Sequence, residues 1–183
     1  MPMTHSSSHL RIMMQCALFA ALTSVCSQIA IPTPWGVPVN LALFSVYMAG
    51  TMLGPVGGFV SQLVFVALAA VGLPVLAGFA GGPAAIFGVT GGYIVGFVLA
   101  ALVVGFLAAH GRRTVPFLCL YMVAGCAACY LLGTLWYSVL SGNGFLASLA
   151  VCVLPYLPCD VCKILLAAVL TRALDRRLSF MKK

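Results

Sequence analysis

Charged side chains are almost absent from this chain of 183 residues, which has nine Lys and Arg and two Asp and Glu, together 6% of the sequence. A soluble domain has about a quarter of its residues charged. Because 63% of the residues are hydrophobic, so few charges cannot cover a water-exposed surface, and most of the surface is expected to face lipid. At roughly 20 residues for each membrane-spanning helix, the length suits about six spans.

Helix breakers divide the apolar sequence into segments of that length. Three prolines within 31–38 and the turn 141–144 cannot continue a helix. We therefore predict an all-α integral membrane protein with an N-terminal cytoplasmic segment (1–11), a six-helix membrane domain (12–178) and a basic cytoplasmic tail (179–183). The predicted spans are approximately 12–31, 39–54, 57–72, 88–110, 115–140 and 158–178.

The segment 73–87 is apolar but rich in Gly and Pro. Irregular backbone of this kind cannot face lipid, because its N–H and C=O groups would lack hydrogen-bond partners there. It is therefore expected to lie inside the protein or around a cavity.

The basic residues indicate the orientation in the membrane. With six spans, eight of the nine fall on one side: Arg11, Arg112, Arg113, Arg172, Arg176, Arg177, Lys182 and Lys183. This bias predicts that both termini of a multi-pass membrane protein are cytoplasmic. The basic residues form no stripe interleaved with aromatics, which excludes a nucleic-acid partner.

Asp160 is the first acidic residue of the chain, and Lys163 follows three residues later on the same predicted helix. Ionisable groups at membrane depth cost roughly 2.5–3.5 kcal/mol each and usually mark a functional site. Residues three apart share one helix face. Asp160 and Lys163 therefore form either a self-contained ion pair near a helix start or a site for a small ligand that has both a donor and an acceptor. The non-helical turn before them and the Gly-rich loop favour the ligand site.

The sequence contains two Cys-x-x-Cys pairs, Cys126 with Cys129 and Cys159 with Cys162. Such pairs occur in redox and metal sites, so a membrane thiol oxidoreductase is one alternative. No histidine lies nearby and both pairs are in predicted spans, which favours cysteine as a small apolar filler. We predict no metal site, no cofactor and no catalytic residue.

Small residues recur every four positions in two spans. Gly88, Gly92, Gly96 and Ala100 predict a close helix–helix approach. Thr90, Gly91 and Tyr93 lie at the start of the same span, where exposed helix N–H groups suit an anionic or carbonyl group.

Two alanines in the first span, Ala17 and Ala21, form a similar row, which predicts either internal packing or docking of a partner membrane protein. Asn40, beside the first extracellular turn, is the best ligand candidate among the other polar residues of the spans.

The densest motifs resemble the BioY-type biotin-binding S components of energy-coupling factor (ECF) transporters. The segments that carry the resemblance are Leu-Gly-Pro-Val-Gly-Gly (53–58), Ala-Val-Gly-Leu-Pro-Val (70–75), Gly-Val-Thr-Gly-Gly-Tyr-Ile-Val-Gly-Phe (88–97) and Pro-x-Asp-x-x-Lys (158–163). The sequence departs from the family pattern at Asn40-Leu-Ala, where Thr-Leu-Gln is usual, and at Val89 and Phe65, where proline and tyrosine are frequent.

The resemblance implies a six-helix S component in the bacterial plasma membrane that captures biotin near the outer surface with Asp160 and Lys163. It also implies that Ala17 and Ala21 dock on a transmembrane coupling subunit, while two separate ATPase subunits hydrolyse ATP. The chain itself has no Gly-x-x-x-x-Gly-Lys-Ser/Thr phosphate loop.

For biotin we predict that the helix start at Thr90, Gly91 and Tyr93 holds one end of the ligand, that Phe79 closes over its apolar rings and that Asn40 also contacts it. The alternatives to biotin uptake are an S component for another vitamin, such as thiamin or riboflavin, the thiol oxidoreductase, and a purely structural membrane subunit.

Overall fold

The computed structural model describes residues 5–34 and 36–181 of the chain, with side chains described for 9–34 and 36–177. Within these residues the regular structure is helical, apart from two short antiparallel strands and a 3-10 turn at Ala77–Phe79. The elements are α1 (His5–Gln28), β1 (Ala30–Ile31), β2 (Val39–Asn40), α2 (Ala42–Ala70), α3 (Pro83–Phe87), α4 (Gly91–His110), α5 (Val115–Ser141), α6 (Phe145–Cys152) and α7 (Leu157–Met181). The predicted all-α class is confirmed.

Four helices in the described residues are each long and apolar enough to cross a membrane: His9–Gln28, Ala42–Ala70, Gly91–His110 and Val115–Ser141. A fifth candidate is the pair α6 and α7, which are bent by 60° relative to each other. Large apolar side chains such as Leu18, Phe106 and Leu120 are exposed on the outer helix faces. An apolar outer surface suits a lipid surrounding.

Most of the second and of the third predicted span lies in α2, which reverses direction at Gly54. Gly54 has φ 75° and ψ −173°, and Pro55 follows it. A Cβ on Gly58 would lie 2.9 Å from the Cα of Gly50, whereas eight residues of continuous helix would separate them by about 12 Å. Gly54 therefore divides α2 into two helical segments that run antiparallel to each other. That each of the six predicted spans crosses the bilayer stays a prediction.

The observed ends differ from the predicted ones where local pairing competes with the helix. α1 ends at Gln28 because Ala30–Ile31 pairs with Val39–Asn40 as a strand. α2 begins at Ala42, whose amide donates to Oδ1 of Asn40 at 3.1 Å. α3 and α6 form within stretches for which no helix is predicted. The last two residues of the predicted basic tail, 182–183, lie outside the described residues.

One end of the bundle, here called the basic end, contains Arg112, Arg113, Arg172, Arg176 and Arg177. Arg113 links three elements there. Its Nε lies 2.8 Å from Oδ2 of Asp175, and its Nη2 lies 3.0 Å from Oδ1 of Asp175 and 2.9 Å from the carbonyl of Thr51. The α4–α5 turn, the C-terminal part of α7 and the reversal of α2 therefore lie together.

The small residues of α4 pack against small residues of α5. A Cβ on Gly96 would lie 2.9 Å from Sγ of Cys129, and a Cβ on Gly92 would lie 3.1 Å from the Cα of Gly133. The predicted close approach is confirmed for this part of the row. Gly88 does not belong to it, because α4 begins only at Gly91.

Candidate ligand-binding site

A cavity of about 380 Å³ lies at the end of the bundle opposite the basic end. Its walls come from the C-terminal end of α1, the β1–β2 loop, the segment between α2 and α3, the start of α4, the middle of α5 and the junction of α6 with α7. Most of these elements are apolar, so each polar group among them stands out. We call this end the cavity end.

Asp160 and Lys163 lie on the wall of this cavity, in the first two turns of α7. Nζ of Lys163 is 2.7 Å from Oδ1 of Asp160, and the two side chains are 8% and 3% exposed. A buried charge needs a partner, and each provides one for the other. The pair is thus an ion pair and also part of the cavity lining, and its contact with a ligand stays a prediction.

Tyr130, on α5, completes a polar cluster with this pair. Its hydroxyl donates a hydrogen bond to Oδ2 of Asp160. Its ring meets the ring of Tyr93 edge-on, with centroids 6.3 Å apart and planes at 79°. The hydroxyl of Tyr93 lies 3.2 Å from that of Thr134. Tyr130, Asp160 and Lys163 are called the charged cluster below.

Three further predicted site residues line the same cavity: Asn40, Thr90 and Tyr93. Oδ1 of Asn40 already accepts from the amide of Ala42, which leaves its side-chain nitrogen as a donor. Thr90 lies immediately before α4, and its carbonyl accepts from the amide of Tyr93 at 3.0 Å. The tertiary structure therefore brings together five of the seven residues predicted to contact the ligand.

The other two, Gly91 and Phe79, do not line the cavity. Gly91 is buried, a Cβ there would overlap the carbonyl of Ile86, and its amide donates to the carbonyl of Gly88 at 3.0 Å. The side chain of Phe79 is 73% exposed. Its segment contributes Ala77 and Ala80 to the cavity instead. Gly91 thus serves the local chain geometry, and Phe79 is exposed at the surface of this structure.

Two residues tie the loops of the cavity end to neighbouring elements. The carbonyl of Val37, in the β1–β2 loop, accepts from the hydroxyls of Thr33 at 2.6 Å and of Tyr156. Nε2 of Gln28 lies 2.9 Å from the carbonyl of Leu76, in the segment between α2 and α3. Neither Tyr156 nor Gln28 is a predicted site residue. The one signal for Tyr156 is its place between Pro155 and Pro158, in the break before α7.

The second Cys-x-x-Cys pair lies outside the cavity. Cys159 and Cys162 are exposed on α7, where Asp160 and Lys163 are buried, and Cys126 and Cys129 are buried on α5. All eight cysteines lie in the described part of the chain and are free thiols there. No group of three or more His, Cys, Asp or Glu side chains that could hold a metal ion occurs among the described residues.

Ala17 and Ala21 are both exposed on α1, beside the large apolar side chains of Leu18 and Val25. The row of small residues therefore lies on the outer surface of the helix, and internal packing does not use it.

The sequence also matches a known family over nearly its whole length. The model of the BioY family matches residues 3–180. The chain belongs to the BioY family. Such a chain, with several long apolar helices, is a multi-pass protein of the cell membrane and belongs to a transporter family, not an enzyme family.

Curated relatives in this family cover most of the chain. It is 41% identical to the probable biotin transporter BioY of Pyrococcus horikoshii, over 87% of this chain and 93% of that protein. It is 35% identical to the biotin transporter BioY of Rhizobium etli, over 86% and 89% of the two chains.

A solved structure of similar fold is the 2.1 Å crystal structure of the S-component for biotin from an ECF-type ABC transporter. Its TM-score with this BioY-family chain is 0.85, its sequence identity 30%, and the alignment covers 95% of both chains. The all-α membrane fold described above is therefore the S-component fold.

Proposed function

We propose that this BioY-family protein captures biotin outside the cell and serves as the substrate-specific subunit for its uptake by an ECF transporter. The observation that carries the proposal is the charged cluster, which lines a cavity of about 380 Å³ at the cavity end, opposite the basic end. The relatives named biotin transporters and the S-component for biotin support the choice of ligand.

The chemistry of the cavity suits the parts of biotin. The ureido ring has two N–H donors and one carbonyl acceptor, so it matches the carboxylate of Asp160 and the ammonium of Lys163. Hydrogen bonds to charged groups are roughly twice as strong as neutral ones. Apolar residues of the same cavity, among them Ile94 and Phe97, would cover the fused rings. Thr90 and the side-chain nitrogen of Asn40 are proposed to hold the carboxylate tail.

The test is isothermal titration of the purified protein in detergent with biotin, thiamin and riboflavin in separate experiments. Saturable binding of biotin alone is the expected result. Binding of thiamin or riboflavin without biotin would instead assign the chain to another vitamin. No binding of any of them would leave a structural subunit and contradict the proposal.

Uptake also needs a source of energy, which we assign to a transmembrane coupling subunit and two ATPase subunits. Exposed small residues let another helix approach closely, and we propose that Ala17 and Ala21 form this docking surface. Ala17→Trp and Ala21→Trp should abolish energised biotin uptake in cells that contain the coupling subunits, while biotin binding by the purified protein is retained.

The matched control for the docking surface is Ala127→Trp, which adds the same bulk at an exposed position of α5. It should leave uptake unchanged. Equal loss of uptake in the α1 and α5 variants would contradict docking at Ala17 and Ala21. The proposal that biotin is the ligand would not be affected.

A further inference from the structure

The hydroxyl of Tyr130 has a fixed direction in the charged cluster. Tyr130 lies 30 residues before Asp160 in the sequence, and the packing of α5 against α7 brings them into contact. An ionised carboxylate has no proton to give and can only accept. The ammonium of Lys163 at 2.7 Å favours the ionised form of Asp160, so the proton of the hydrogen bond belongs to Tyr130.

This direction determines what Tyr130 offers to the cavity. A phenol has one donor and accepts through its oxygen, and here the donor is already used by Asp160. The oxygen remains as an acceptor. Lys163 uses one of its three N–H groups on Asp160, which leaves two donors. The charged cluster therefore presents a donor and an acceptor from different residues, both oriented by the same carboxylate.

The position of the ring is set by residues outside the cluster. The Tyr93 ring meets it edge-on, an arrangement that aromatic pairs favour, and Thr134 holds the hydroxyl of Tyr93 at 3.2 Å. The side chain of Tyr130 is thus held at two places, with its ring against Tyr93 and its hydroxyl bonded to Asp160. A group held in this way loses little conformational freedom when a ligand binds.

We infer that Tyr130 is a ligand-recognition residue whose oxygen accepts an N–H of the ligand, next to the Lys163 ammonium that donates to the ligand's carbonyl. The ligand class is a cyclic urea or lactam, in which an N–H is adjacent to a carbonyl. This inference rests on the proposed function and deepens it, because it names the group that distinguishes ligands with a free N–H from those without one.

The experiment compares biotin with its two mono-N-methyl ureido isomers, for wild type and for Tyr130→Phe. Wild type should prefer biotin over both isomers. Tyr130→Phe should weaken biotin binding about tenfold, the loss expected for one hydrogen bond. One isomer has a methyl group in place of the N–H that would contact Tyr130, and Tyr130→Phe should weaken the binding of that isomer much less. The ratio of its Kd to the Kd of biotin should therefore fall. A residue that only supports the fold would weaken all three ligands by the same factor.

Tyr137→Phe is the matched control, since Tyr137 is buried on the same helix but does not line the cavity. It should bind all three ligands like wild type. Tyr130→Phe with unchanged biotin affinity, or with equal losses for all three ligands, overturns the inference while the proposed function stands. Wild type that fails to bind biotin overturns the proposed function itself.

A second form keeps the test valid if Tyr130→Phe does not fold. The wild-type chain with 3-fluorotyrosine at position 130 retains the hydroxyl and nearly the whole shape of the ring, but its oxygen is a weaker acceptor. It should bind biotin more weakly than wild type, whereas 3-fluorotyrosine at position 137 should not. Equal affinity of both fluorinated forms and wild type overturns the inference.

Discussion

Lys163 and Asp160 form a 2.7 Å ion pair on one face of α7, and both side chains are more than nine-tenths buried. Nζ of Lys163 donates to Oδ1 of Asp160, while Oδ2 of Asp160 accepts from the hydroxyl of Tyr130. We propose that the pair has two roles, neutralising a buried site and recognising the ligand, and substitutions can separate these roles.

Single substitutions in the pair should lower both stability and binding. Lys163→Met leaves the carboxylate of Asp160 buried without a cation, which typically costs about 3–5 kcal/mol of unfolding free energy. Biotin affinity should fall at least roughly tenfold. Asp160→Asn/Lys163→Met together should recover much of the stability without recovering binding. Thermal unfolding and titration in detergent measure the two effects.

The control for this pair is Asp175→Asn, which removes the chain's other acidic residue at the basic end. Asp175 pairs with Arg113 and is farther from full burial. Biotin affinity should stay at the wild-type value. Wild-type affinity in both Lys163→Met and Asp160→Asn would remove the pair from the site.

The loop between β1 and β2 should open more readily without the hydroxyl of Tyr156. Tyr156→Phe removes one of two hydrogen bonds to the carbonyl of Val37 and leaves that of Thr33. One hydrogen bond corresponds to about a tenfold change, so bound biotin should dissociate up to about ten times faster. Stopped-flow exchange of labelled biotin measures this rate. Tyr121→Phe, distant from the cavity, should not change the dissociation rate. An unchanged rate in Tyr156→Phe would contradict the proposal that the hydrogen bond from Tyr156 to Val37 keeps the loop closed.

Gly50 should not tolerate even one added carbon. A Cβ there would lie 2.7 Å from the carbonyl oxygen of Ala101 on α4 and 3.2 Å from Cβ of Val104. Overfilling of packed interiors typically costs about 1–3 kcal/mol, so Gly50→Ala should lower the thermal stability clearly. Gly144→Ala, with no heavy atom within 4 Å of the added Cβ, should leave it unchanged. Equal stability of both variants would contradict the close approach of α2 and α4.

The exposed cysteines of α7 should not be needed for biotin binding or uptake. Cys159→Ser/Cys162→Ser changes side chains that lie outside the cavity, so biotin binding and uptake should match wild type under reducing and oxidising conditions. The thiol oxidoreductase alternative predicts loss of function in this variant. Ligand titration and uptake assays on the same preparation decide between the two.

The orientation in the membrane can be tested with a cysteine-free form of the chain. We predict that Gly144→Cys, at the cavity end, reacts with a membrane-impermeant maleimide in intact cells. Arg112→Cys, at the basic end, should react only after permeabilisation, because positively charged ends stay in the cytoplasm. The opposite labelling pattern would reverse the predicted topology and place the cavity inside the cell.

Much of this fold could be predicted from the sequence alone, because the signals are local. Scarcity of charge requires a lipid-facing surface, and breakers such as Gly54-Pro55 interrupt helices. Asp160 and Lys163 share a face simply because they are three residues apart on a helix. Each of these statements needs only neighbours in the sequence.

The tertiary structure decided which other residues meet this pair. Tyr130 reaches Asp160 across 30 residues, and Tyr156 reaches Val37 across 119. No local pattern marks such contacts, since they depend on how α5, α7 and the loops pack. The same packing turned Phe79 outward and gave Gly91 a place against Ile86. Helix periodicity thus determined the charged pair, while the cavity around it followed from contacts between segments far apart in the chain.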